Sequence, residues 1–330
     1  MKVVENKIKK ENINAKILYK FVNVFNGFSA TMTVADMEKV REISNVKSVV
    51  ISAEYERPEL PTPDMNTSVD IISANPTWDL SLKGAGMIVA VMDSSFAPDH
   101  PSMQTMTRPN RAQIKSQADI PSDLPGTFRT LKMPYAWNYY DNTANLASAS
   151  DHGTHVSGTV GASGDPEKGQ VRGVAPEAQI LGMKVFGDDP SISTTYDDIY
   201  VRAIEDAIKL GADVVNMSLG STASFLMDEA NDPARIAIKK ASESGIVVNV
   251  SAGNSNRFGS GFADSYASDP DVGVVGSPSL NPETLSIASV ENTHVAAPQI
   301  ETDAGKFGYM QSGKIDIAGA FNGEAKEYVY

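Results

Sequence analysis

Cysteine is absent from this chain of 330 residues. That excludes disulfide frameworks, thiolate nucleophiles and thiolate-bound zinc. Long apolar runs are absent too. The longest, such as Met87 to Met92, are far too short to cross a bilayer. The N-terminal stretch MKVVENKIKKENI has charges but no apolar segment, so no secretory signal is visible. Positive charge is scarce: 28 Lys plus Arg stand against 41 Asp plus Glu, a net of −13. A nucleic-acid binder needs a basic face, and an anionic membrane disfavours an acidic chain. No phosphate loop of the GxxxxGKS or GxxxxGKT kind occurs, which leaves little support for small-molecule binding at strand ends.

What is present suits a water-soluble globular protein, with 41% hydrophobic and 21% charged residues. The length allows two or three domains. Charge is unevenly shared. Residues 1–57 hold 10 basic and 7 acidic residues, a net of +3; residues 58–330 hold 18 and 34, a net of −16. Either this is chance drift, or two parts of complementary charge dock on each other.

The first 57 residues read as a small α+β unit. Lys16 to Asn23 and Gly27 to Thr33 alternate as strands do, with Asn26-Gly27 as turn chemistry between them. TVADMEKVREI reads as a helix with Thr33 as N-cap and Met37, Val40 and Ile43 on one face. Val46 to Ala53 is expected as a third strand. Residues 58–75, rich in Pro, Ser, Asn and Thr, read as a linker. From about Pro76 the pattern changes. Apolar runs at Met87–Met92, Gln179–Val185, Asp213–Leu219, Ile246–Val250 and Leu285–Val290 alternate with helical stretches. The clearest helices are Tyr196–Leu210, closed by Gly211, and Pro233–Ser244, closed by Gly245. Such alternation predicts an α/β fold, a parallel sheet with helices on both faces. After Val290 that pattern stops.

Three segments at predicted strand ends carry chemistry, since ligands of open α/β sheets bind beyond the carboxyl ends of the strands. The first is VAVMD, ending at Asp93, which can cap a turn or hold a partner. The second is DHGTHVSGT, Asp151 to Thr159. There His152 stands at a helix start, free to accept a proton, while His155 one turn on reads as an inward-facing structural residue. No third ligand has spacing fit for a metal. The third is VVNVSAGNSN, where Asn254 either shapes a turn or donates its amide to a developing oxyanion.

Taken in order, the Asp93 strand end, HGTHVSGT, MSLG and SAGN resemble the subtilisin-like serine proteases (subtilases). The resemblance covers roughly residues 76–292. It implies that Asp93 and His152 are the catalytic Asp and His, that Asn254 is the oxyanion Asn, and that Ser218, Leu219 and Gly220 pair with substrate backbone. NGFSATMTVADMEKVREISNVKSV resembles the family's inhibitory propeptide. GVAPEAQILGMKVF, IEDAIKLGADVVNMSLGS, VSAGN and LSIASVENT are similar to the lactocepin-type cell-envelope proteinases. In that subgroup a protease-associated domain interrupts the catalytic domain, and residues 295–330 look like its opening strands. The expected division is therefore 1–57, a linker over 58–75, a catalytic part over 76–294, and the start of an insertion over 295–330.

Two departures stand out. Asp93 is followed by Ser94 and Ser95 where the family has Ser or Thr and then Gly. No Gly-Thr-Ser-Met-Ala type string, the family's nucleophile motif, occurs. Ser277 and Ser279 are read as loop residues, so these residues are expected to form a fragment that stops short of the serine and is inactive alone. The resemblance implies an exported or cell-envelope serine endopeptidase acting on extended polypeptides, with its own propeptide-like segment as a partner. No cofactor is needed for the chemistry; a structural calcium is compatible, with no ligands assigned. The alternative is a pseudoprotease that binds peptides without cleaving them.

Overall fold

The computed structural model of the protein describes residues 1–57, 68–148, 150–189, 191–192, 194–221, 226, 232–254, 275–290, 299–302 and 305–308. The N-terminal unit opens with helix α1 (Lys2–Lys10), which the sequence reading passed over. Val4 and Ile8, four residues apart, bury together against Ile13, Val40 and Ile43. Strands β1 (Ala15–Phe21) and β2 (Gly27–Met32) pair antiparallel, from Ala15 opposite Met32 to Phe21 opposite Gly27. Helix α2 (Val34–Arg41) follows, capped as expected: the Asp36 N–H donates to Thr33 Oγ1 at 3.1 Å.

The expected strand over Val46 to Ala53 does not form. Val46 and Val49 pack on the unit's own small core instead. The strand comes later, as β3 (Glu54–Glu56), and its partner lies in the body of the protein. The stretch expected as a linker contains a short helix, α3 (Ser68–Ile71), and helix α4 (Ala74–Asp79) starts before it ends; residues 58–67 lie outside the described residues.

The body is built on β4 (Ile88–Asp93), β5 (Tyr135–Asn138), helix α5 (His152–Gly161), β6 (Gln179–Lys184), β7 (Thr194–Tyr196), helix α6 (Asp197–Lys209), β8 (Val214–Met217), helix α7 (Pro233–Glu243), β9 (Val247–Ser251) and β10 (Thr284–Ile287). Six strands form one parallel sheet in the order β10-β9-β8-β4-β6-β5. All of β4 is buried, as the central strand of a doubly covered sheet must be. Its side chains alternate between two cores. Ile88, Ala90 and Met92 join Ile204, Ala207 and Ala237 of α6 and α7. Val89 and Val91 join Ala162 and Ile180 on the opposite face, where Val156 and Val160 of α5 pack. The predicted layering, helices on both faces, is what this alternation produces.

Short elements escaped the sequence reading. β5 is four residues long and β7 three, below the length at which a pattern can be read. β7 pairs antiparallel with β3, Tyr55 opposite Thr195. After the sheet, β11 (Gln299–Thr302) and β12 (Gly305–Gly308) form an antiparallel hairpin. At one edge of the sheet β10 leaves Leu285 and Ile287 more than half exposed, with Val290 just beyond exposed further still.

Candidate active site

β4 ends on Asp93, and the sheet's register brings that end beside β6, where the Val185 N–H donates to the Asp93 carbonyl at 2.8 Å. The Asp93 side chain is fully buried. Its Oδ1 accepts the Ser94 N–H at 2.7 Å and lies 2.7 Å from His152 Nδ1. A carboxylate at that distance fixes the imidazole proton on Nδ1, which leaves the Nε2 lone pair free. His152 is the first residue of α5 and keeps about a tenth of its side-chain surface in solvent. An oriented base thus stands at the rim of the sheet, backed by a dry carboxylate.

Helix α5 reads HGTHVSGTVG, poor helix-forming material rich in Gly, Thr and Val. Packing holds it in place. A Cβ on Gly153 would stand 2.4 Å from the Ser95 carbonyl and 2.8 Å from the Asp93 Cβ. Only glycine lets the helix start come this close to the end of β4. At the other end a Cβ on Gly161 would stand 2.9 Å from Ile180 Cδ1. Gly153 therefore sets how closely His152 approaches Asp93, and Gly161 how closely the helix end approaches β6.

Ser95, where a glycine was expected, is accommodated. It is buried and absent from the non-glycine residues with positive φ, so the turn after Asp93 does not need glycine's freedom. His155 points inward from α5. Burial, then the neighbouring His152, hold its pKa below the ordinary histidine value, and its Nε2 is buried without a hydrogen-bond partner.

Asn254 lies three residues past the end of β9, beyond Gly253 at φ +100°, and is exposed. Because the strands are parallel, it shares the carboxyl edge with Asp93, with β8 between their strands. Ser218, Leu219 and Gly220 follow β8 at that same edge, with Leu219 buried. The fold thus brings Asp93 and His152 into contact. It sets Asn254 and the 218–220 segment along the same rim, without a hydrogen bond from either to His152. Ser277 and Ser279 lie in a loop against this segment. The Ser277 carbonyl accepts the Ser221 N–H at 2.8 Å, and buried Ser279 bonds Ser286 Oγ at 2.7 Å. Neither meets a histidine.

Among the described residues no group of three or more His, Asp or Glu stands ready for a metal ion. One oxygen-rich cluster, Asn138, Asp141, Asn145 and Asp188, tests whether a calcium fits. It is already occupied by a cation: the buried Lys184 ammonium lies 3.0 Å from Asp188 Oδ1. These residues do not fit a calcium.

The N-terminal unit meets the body at residues that sequence reasoning left unmarked. Glu205 of α6, fully buried, accepts the N–H groups of Val22 and Asn23 on one oxygen at 2.8 and 2.7 Å. Asp197, the first residue of α6, accepts the Ala53 N–H at 2.9 Å and the Tyr55 hydroxyl at 2.7 Å. Phe21, Val24 and Tyr55 join the larger core of the body. Among the described residues no ion pair links the two parts. Their docking is apolar contact plus body carboxylates accepting neutral donors, rather than the charge pairing that +3 against −16 suggests. No sequence signal marks Glu205 or Asp197, because the groups of the N-terminal unit that they hold lie more than 140 residues away.

A profile of the subtilase family matches residues 84–325, and one of the peptidase inhibitor I9 family matches residues 2–57. The chain is 36% identical over 323 residues to the PI-type proteinase of Lactococcus lactis subsp. cremoris, covering 93% of this chain and 16% of that protein. It is 27% identical over 346 residues to the minor extracellular protease Vpr of Bacillus subtilis, covering 98% of this chain and 38% of that one. Fervidolysin from Fervidobacterium pennivorans, a keratinolytic enzyme related to subtilisin, has a similar fold: TM-score 0.54, 22% identity, over 77% of this chain and 38% of that one. The chain thus spans well under half the length of these relatives. With a buried carboxylate aimed at a rim histidine, a parallel sheet beneath them and an inhibitor-like unit in front, this chain belongs to the subtilase family.

Proposed function

We propose that this chain supplies the Asp–His half, one oxyanion donor and part of the substrate cleft of a serine endopeptidase acting on extended polypeptides. The observation that carries the reading is the 2.7 Å contact between His152 Nδ1 and Asp93 Oδ1 at the carboxyl edge of the sheet. In the reaction a serine hydroxyl attacks the peptide carbonyl while His152 Nε2 takes its proton, then returns it to the leaving amine. Asp93 holds the imidazole in the required tautomer and stabilises the imidazolium. Asn254 donates its amide to the oxyanion. The 218–220 segment takes the substrate as an added strand, which suits unfolded chains and exposed loops. No cofactor takes part.

Residues 1–57 act as the segment that covers this cleft, supported by the I9 match and by β3 lying on β7. The hairpin β11–β12 supports reading residues 295–330 as the opening of an inserted domain. Action outside the cell or at its envelope fits the similarity to an extracellular protease; no described helix is long and apolar enough to cross a membrane. Peptide binding without cleavage is disfavoured, because a mere scaffold has no use for a buried carboxylate on Nδ1 of a histidine at the rim of the sheet.

The test is labelling by a fluorophosphonate serine probe together with casein cleavage. The whole protein carrying this chain and a Gly-Thr-Ser segment should label and cleave, and His152→Ala in it should abolish turnover. The 330 residues alone, lacking that motif, should do neither. Undiminished cleavage by His152→Ala would sink the assignment, and labelling at Ser277 or Ser279 would show a nucleophile inside these residues.

A further inference from the structure

Lys184 closes β6, level in register with Asp93 on one side and Asn138 on the other. Its side chain is fully buried, and its ammonium donates to the Phe186 carbonyl at 2.5 Å and to Asp188 Oδ1 at 3.0 Å. Asp188 in turn holds the loop that joins β5 to α5. Its Oδ2 accepts the Asn145 amide at 2.5 Å, and its N–H donates to Asp141 Oδ2 at 3.0 Å. The Asn138 amide donates to both carboxylates, at 2.9 Å to Asp141 and 3.4 Å to Asp188. Between them Gly187 lies so close to the Tyr140 ring that a Cβ would stand 2.7 Å from it. Past this knot the loop runs to the base. Asn145 Oδ1 accepts the Ala147 N–H at 3.2 Å, and the buried Leu146 accepts the Phe96 N–H on its carbonyl at 3.0 Å. Ser150 Oγ accepts the Ser94 hydroxyl and the His152 N–H, each at 3.4 Å. The loop is thus pinned twice, to the segment after β6 and to the turn after Asp93, and His152 begins the next element.

We infer that Lys184 is a positioning residue for the reaction, whose buried ammonium fastens the loop that delivers His152 to Asp93. The inference rests on the proposed reading of that pair as the Asp–His half of an endopeptidase, and deepens it. Charge is the reason. Two carboxylates, Asp141 and Asp188, converge on the one amide of Asn138, and like charges on a shared donor repel. Burial lowers the Lys184 pKa while Asp188 and Asp141 pull it back, so both carboxylates act on the ammonium. Without that charge Asp188 faces Asp141 uncompensated. The link from Asp188 to Asn145 then loosens, and Leu146 and Ser150 carry the start of α5 with them. A displacement of about 1 Å at a reacting group costs about a hundredfold in rate, even when its cause lies far from the chemistry.

Two variants reach the same link from opposite ends. Lys184→Met acts inside the sheet, and Asn145→Ala acts on the exposed loop, which keeps the test open if the first does not fold. In the whole protein each should lower kcat by about tenfold to a hundredfold, with KM within about twofold. The double variant should lose little more than the worse single one, because both break one route. Losses that multiply, or a rise in KM at unchanged kcat, would overturn the inference. The second readout needs no turnover. In the full chain the proton on His152 Nδ1, held by Asp93, gives a downfield NMR signal. Its exchange with solvent should speed up about tenfold or more in either variant. It should stay as in the parent in Lys132→Met, which removes a fully buried lysine elsewhere. Unchanged exchange in both variants would overturn the inference even where kcat falls. If the whole parent protein hydrolyses no peptide, the endopeptidase reading fails, and this signal alone decides the role of Lys184.

Discussion

His152 Nδ1 sits 2.7 Å from Asp93 Oδ1, although 58 residues separate the two in the chain. That contact is the point on which the hydrolytic reading turns. Asp93→Asn in the whole, active protein keeps the size of the side chain but favours the wrong imidazole tautomer. The expected result is a kcat lower by about 10⁴-fold with KM little changed. Steady-state kinetics on a peptide substrate checks this, and a loss confined to KM would place Asp93 in binding rather than chemistry.

Asn254→Ala in the same protein removes a donor that matters only once charge develops on the carbonyl oxygen. Turnover should fall by about 10²–10³-fold, again at nearly constant KM. A change under about threefold would return Asn254 to the role of turn former.

Gly153→Ala tests the close approach of α5 to β4. The new methyl meets backbone, the Ser95 carbonyl at 2.4 Å, which cannot swing aside. Overpacking of this kind costs about 1–3 kcal/mol. Urea unfolding should show a lower midpoint at unchanged slope, and turnover should drop with it. An unchanged midpoint would mean the helix start is free to move.

Lys132 gives a pH dependence with a definite sign. It is fully buried, and burial lowers its pKa from 10.5 to about 7, against the opposing pull of Glu177. Its Nζ donates to the Pro176 and Ala178 carbonyls at 3.0 and 2.5 Å. Between about pH 7 and 10 the unfolded chain binds this proton and the folded chain does not. Stability therefore rises with pH across that window, by at most about 1.4 kcal/mol per unit from this group. Urea midpoints at pH 7.5 and 9.5 should separate in that direction, and Lys132→Met should remove most of the separation. A midpoint falling with pH in the parent protein would contradict it.

Glu205→Ala should loosen the N-terminal unit, since one buried oxygen serves two N–H groups. Exchange at the Val22 and Asn23 amides should speed up by a factor of about ten. Raising salt should do far less, because the acceptor faces neutral donors. Equal sensitivity to salt and to the substitution would restore charge pairing as the main force.

The layered sheet was legible because its strands are continuous apolar runs: Ile88–Asp93 and Gln179–Lys184 fall within a residue or so of their expected ends. Asp93 and His152 were legible because the surrounding glycines and small residues are as constrained as the side chains themselves. The strand expected over Val46 to Ala53 failed for the opposite reason. Its valines satisfy a small local core, while pairing is decided by β7, a partner about 140 residues away whose own pattern is too short to read. Glu205, Asp197 and Lys132 were illegible because what defines them is burial beside groups that the fold brings in from distant parts of the chain, which leaves no spacing in the sequence.

Among the described residues β10 ends the sheet, and that edge bears on the protein's behaviour in bulk. Leu285 and Ile287 stand exposed on a strand at the end of the sheet order, with Val290 just beyond. Such a rim can template strand addition between molecules. Mutual repulsion from a net charge of −13 opposes that encounter, and it is weakened by salt and by titration toward the isoelectric point near 4.8. Solutions of this protein should therefore be clearest when dilute, low in salt and near neutral pH, and turn cloudy first on acidification.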